Sequence, residues 1–154
     1  MLELDYVSSA MPPAGTAAAD DEALVEQLWK NVVDPHTGRL EGPEVVWRLR
    51  EHSIFMWVSA VQARDIVTQF VDHAERVEAA VILRSRIVDQ ANLYKVLYAL
   101  HMVEQQFYCT RLGPTNVINH DHPTMRYRLR TNDYEHFGVA KEVSARVPMR
   151  ASHT

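Results

Sequence analysis

Asn119-His120-Asp121-His122 comes nearest to metal-ligand spacing in this sequence. His120 and His122 would offer two imidazoles to zinc or a related ion, with Asp121, Cys109 or His101 completing the shell. Alternate residues of an extended strand point to opposite sides, however, so His-x-His seldom chelates without a special turn. An exposed polar turn is therefore the better expectation, with His120 and His122 kept as the metal candidates. Asp34-Pro35-His36-Thr37-Gly38-Arg39-Leu40-Glu41 has some of the composition of a calcium loop. Counted from Asp34, the oxygen ligands of an EF-hand, its glycine and its closing glutamate fall on His36, Gly38, Arg39 and Val45, which do not fit. An interhelical turn is expected instead. Cys109 with His101 would make a nucleophile and base, yet eight residues of helix separate them by about 12 Å of rise, too far for proton transfer. Cys109 is expected to be a small buried hydrophobe. No catalytic residue and no cofactor is expected from these patterns.

The charged pairs read as structural. Asp72 and Arg76 stand at i, i+4 and Arg86 and Asp89 at i, i+3, spacings that mostly orient helix ends or bridge neighbouring helices. Arg126, Arg128 and Arg130 alternate with Tyr127 and Leu129, which would place three guanidinium groups on one side of an extended segment. They form the candidate partner surface, and docking onto the acidic part of this same chain is expected ahead of an acidic protein partner. Residues 1–110 carry nine Lys/Arg against sixteen Asp/Glu, a net −7, whereas residues 111–154 carry seven against four, a net +3. A nucleic-acid-binding domain is usually basic overall and would want aromatic platforms as well, so nucleic acid is disfavoured.

These residues need a scaffold, and the composition points to helices. The 154-residue chain is 47% hydrophobic and 23% charged, ordinary for a folded domain, and has only five glycines for tight turns. One cysteine allows no internal disulfide, which favours a reducing compartment. The first 19 residues contain Glu3 and Asp5 and no basic stretch, so they read as an irregular arm rather than a secretory signal. No apolar run approaches the roughly 20 residues that span a bilayer, so no membrane partner is expected. Cytoplasmic residence is the default that follows.

Helix signals then recur. Asp20, Asp21 and Glu22 begin a helix whose inner face is Leu24, Val25, Leu28, Trp29 and Val32, ending near Asp34-Pro35. Pro43 suits the first turn of the next, with Val45, Val46 and Leu49 inside. Ile54 to Val58 is a dense apolar run that periodicity leaves open between helix end, linker and strand. Ser59-Ala60-Val61-Gln62 is a capping box, followed by Ala63, Ile66, Val67, Phe70 and Ala74 on one face. Asp72, with Glu75 three residues on, opens a largely apolar central helix expected to run through Val88. Asp89 is expected to open the next pattern, in which Leu93, Val96, Leu97, Leu100, Val103 and Phe107 form the inner face of one long helix or two. Gly113-Pro114 stops it. Asn132 with Glu135 reads as a further cap, before a closing helix with Phe137, Ala140, Val143 and Val147 inside.

The stretch from Ile54 to Leu100 resembles an uncharacterised all-helical family known only as a domain of unknown function. The likeness rests on Val58 ahead of the Ser59-x-x-Gln62 cap, on Phe70, Asp72 and Arg76, and on Arg86-Ile87-Val88-Asp89 with Asn92 and Leu93 after it. Leu112 to Asn119 and the closing Val139-Ala140-Lys141 helix extend the likeness towards residue 147. The resemblance implies a helical fold and carries no activity or catalytic residues with it.

The resulting expectation is an all-α protein, an irregular multi-helical array or right-handed superhelix of five to seven helices. Residues 1–19 would form an arm, 20–147 one helical domain and 148–154 a tail. The leading function is a non-enzymatic module for protein–protein interaction, because no convergent polar constellation is legible. The alternative is a metal-binding protein or metal-dependent hydrolase using His120 and His122. A homodimer through the aromatic run around Phe55 and Trp57 is a further expectation for partners.

Overall fold

The computed structural model describes residues 12–113 and Lys141, and over that range the chain is all-α, an irregular array of six helices. Helix α1 runs unbroken through Asp21–Leu24, a π-helical stretch Val25–Trp29, and Lys30–Val32. Asp20 caps it, its carboxylate accepting from the amide of Ala23 at 2.7 Å. Leu24, Leu28 and Val32 are buried while Val25 is exposed. These three lie four apart, and a wider π turn keeps four-spaced residues on one face better than 3.6-residue turns do.

The loop after α1 is organised by Asp34, whose Oδ1 accepts from the amides of His36 (2.7 Å) and Thr37 (3.0 Å). This Asx turn uses the carboxylate internally, as an interhelical turn should. The loop closes at Gly42, whose φ of +96° only glycine adopts without strain. Helix α2 (Pro43–Ser53) begins there, and buries Val45, Leu49 and Ser53.

The open question at Ile54–Val58 resolves into three parts. Ile54 and Phe55 form an exposed turn, Met56 dives into the core, and Val58 makes an isolated parallel bridge with Ile87. The Val58 amide donates to Arg86 O at 3.0 Å, and its carbonyl accepts from Val88 N at 2.9 Å. One residue of β pairing thus pins the entry to α3 against the exit from α4.

Helix α3 (Ala60–Val67) carries the expected capping box: Ser59 Oγ accepts from Gln62 N, and Gln62 Oε1 accepts from Ser59 N. Gln62 also donates to Ala19 O (2.9 Å) and Asp21 Oδ1 (3.0 Å), tying the start of α1 to α3. Helix α4 (His73–Arg84) is central and packs against α2, α3 and α6. It ends four residues before the expected Val88, because Val58 draws the chain into the bridge. Asp72 caps it by accepting from Ala74 N and Glu75 N. Glu75 does not close that box; its Oε2 accepts from Gly42 N at 3.0 Å and steadies the start of α2.

Asp89 does not cap the segment that follows it. Its Oδ1 accepts from Ala60 N at 2.6 Å, across 29 residues, so it caps α3 beside Ser59. Gln90–Asn92 is one 3₁₀ turn, then come α5 (Tyr94–Ala99) and α6 (Met102–Leu112). The long pattern is therefore two helices, broken where Leu100 turns extended. Breaking there changes which side of α6 is inside. Glu104, Tyr108 and Leu112 are buried, whereas Val103 and Phe107, expected inside, are exposed. Among the described residues no helix is long and apolar enough to cross a membrane. Of the expected closing helix only Lys141 is described; it is helical and exposed.

Candidate functional site

The break at Leu100 creates the site. His101 becomes the N-cap residue of α6 and Glu104 its third helical residue, and the Glu104 Oε2 accepts from the His101 amide at 2.7 Å. That reciprocal geometry brings the two side chains to one face of the first turn. His73, the first residue of α4, arrives from the neighbouring helix, its Nδ1–H donating to Glu104 Oε1 at 2.5 Å. The two imidazoles meet edge to face with centroids 5.6 Å apart. Arg76, one turn further along α4, donates to the same Oε1 at 2.9 Å. The Arg76 guanidinium is held in place by Phe70 O, which accepts from Nε (3.0 Å) and Nη2 (2.7 Å).

Glu104 is only 3% exposed, a rare state for a glutamate unless it is paired. Burial by itself would raise its carboxyl. The hydrogen bond from His73, the His101 amide and the Arg76 charge outweigh that and hold it below its ordinary range. The result is an ionised, buried carboxylate with two exposed imidazoles over it.

From this cluster a groove of about 600 Å³ runs between α4 and α6. The contacts His73–Glu104 and then Glu78–Arg111 show that the two helices run in the same direction. Ala74, Val77, Val103 and Phe107 line the groove, the histidines and Glu104 stand at its head, and Glu78 with Arg111 at its foot. Met102, Val103 and Phe107 are 84%, 64% and 61% exposed, a concentration of bare apolar surface on one short helix.

The residues singled out in the sequence fare unevenly. His120, His122, Arg126, Arg128 and Arg130 lie outside the described residues, as does the Asn132 cap. Asp72 and Arg76 do not pair with each other: Asp72 caps α4 and Arg76 serves Glu104 and Phe70 O. Arg86 and Asp89 also part, Arg86 lying over the Trp57 ring at 5.2 Å and Asp89 capping α3. Cys109 is half-buried, and burial pushes its thiol up, away from the reactive thiolate. His101 sits at the opposite end of α6, so the two make no catalytic pair. Phe55 is 78% exposed, while Trp57 is half-buried beneath Arg86. The His73–His101–Glu104 cluster is not among the sites the sequence singles out. Its signal was His101-x-x-Glu104, a capping-box pattern concealed by apolar spacing that continues across the break.

No family model, no curated protein and no solved structure matches the chain.

Proposed function

We propose that this protein is a non-enzymatic helical module for protein–protein interaction, and that the α4–α6 groove receives an amphipathic helix of a partner protein. The observation that carries this reading is the exposure of Met102, Val103 and Phe107 beside an apolar groove. Large apolar side chains gathered on one side of a soluble fold mark contact surfaces more often than solitary ones do. The eleven residues of α6 extend for about 16 Å, which matches about three turns of a docked helix lying along two parallel ones. Helix-in-groove recognition anchors such a segment through apolar residues at i, i+3, i+4 and i+7.

The test places a photoreactive phenylalanine analogue at Phe107 of the full chain and maps the crosslinked residues by mass spectrometry. Crosslinks to the apolar face of a helical segment in another protein, lost when Ala74 on the facing helix becomes Glu, support the reading. Crosslinks confined to residues 114–154 of the same chain, or to a second copy, overturn it.

A further inference from the structure

We propose that His73, His101 and Glu104 form a binding site for a divalent transition metal, with Zn²⁺ the ion best suited to it. Each residue offers one ligand atom, and all three atoms lie within 4.8 Å of one another. Tetrahedral zinc with bonds of about 2.0–2.1 Å sets its ligand atoms about 3.3 Å apart. Both imidazoles are exposed, so side-chain rotation closes the wider gaps without moving either helix. The 2.5 Å contact between His73 Nδ1 and Glu104 Oε1 opens to that spacing when the ion takes the place of the bridging proton. The imidazole then carries its proton on the outward Nε2.

The surroundings suit a metal ligand set. Glu104 is already ionised and fixed: Arg76 donates to Oε1 and the His101 amide to Oε2. Outer partners of this kind orient a carboxylate ligand. Two nitrogens and one oxygen select zinc and its first-row neighbours over Mg²⁺ and Ca²⁺, which prefer oxygen throughout. The positive ends of α4 and α6 and the charge of Arg76 oppose a cation here. A helix end at an exposed position acts far more weakly than a set of metal–ligand bonds. Three protein ligands leave the fourth position open towards the groove, where water or a carboxylate from a docked molecule completes the shell.

The experiment is zinc titration of the untagged full chain against a chromophoric chelator, with Co²⁺ as the spectroscopic substitute. One equivalent of zinc should bind, Co²⁺ should give the visible absorption of a tetrahedral site, and both His73→Ala and His101→Ala should abolish them. His73→Ala also removes the hydrogen bond to Glu104 Oε1 and should lower the metal-free melting temperature, so the readout is the shift on adding zinc: only the wild type should gain stability with the ion. A double His120→Ala/His122→Ala variant should bind as the wild type does. Absence of stoichiometric binding, or binding that survives His73→Ala and disappears in the His120/His122 variant, overturns the proposal. None of these readouts depends on partner docking, so the two readings stand or fall separately.

Discussion

Glu104 gathers contacts from three directions: Arg76 and His73 on one oxygen, the His101 amide on the other. Because its carboxyl is held below the ordinary value of 4.5, the folded state binds fewer protons than the unfolded one. The stabilisation is therefore whole above about pH 4.5 and is lost as pH falls through the lower folded value. Glu104→Gln keeps the shape and removes the charge, leaving the nearly buried Arg76 without its carboxylate. It should cost about 3 kcal/mol at pH 7, the scale of a broken buried pair. Urea unfolding at pH 7 and pH 3 checks this: the gap between wild type and variant should shrink at pH 3. Of this residue the sequence revealed its type and none of its role. A glutamate at i+3 from a histidine reads as a cap only once a helix is known to start there, and the apolar spacing from Leu93 to Phe107 hid the start.

At the scale of elements, caps were the most legible feature, because they depend on neighbours three residues apart. Asp20, Ser59 and Asp72 all cap the helices they precede. Asp89 shows the limit of that reasoning. Its local pattern suits a cap, yet tertiary structure turns it to the amide of Ala60, with Asn92 Nδ2 donating to its other oxygen at 2.9 Å. Asp89→Ala should thus destabilise the protein by about 1–2 kcal/mol through the loss of an α3 cap. In amide hydrogen exchange, the protection lost should lie at the start of α3 and not in the segment after residue 89. Gly42 offers a second check on element boundaries. A Cβ there meets no atom within 4 Å, so Gly42→Ala tests conformation alone. At φ +96° and ψ 152° the strain should cost about 1–3 kcal/mol, readable as a lowered urea midpoint with an unchanged slope. The inner face of α6 differs from the apolar spacing for a related reason. A break of two residues rotates everything after it, and periodicity carried across Leu100 put Val103 and Phe107 inside.

For the whole molecule, that rotation sets the character of the surface. The core is closed by residues from each of the six described helices, Leu28, Leu49, Ile66, Leu83, Val96 and Leu112 among them, and it makes no use of Val103 or Phe107. Replacing both with glutamate should therefore leave stability within about 0.5 kcal/mol of the wild type, as for surface positions generally. The same change should ruin docking, since burying two such side chains contributes roughly 1.5–3 kcal/mol each. The helical architecture was open to sequence reasoning because composition, caps and spacing are local and repeated. The groove was not, because it depends on α4 and α6 lying parallel, a relation set by their packing and not by their spacing in the chain. The most direct measurement is isothermal titration of the partner segment captured at Phe107, as a synthetic peptide, into the full chain and into the Val103→Glu/Phe107→Glu variant. The wild type should bind one-to-one, and an equally stable variant should bind at least about a hundredfold more weakly. Equal affinity for the two proteins would contradict it.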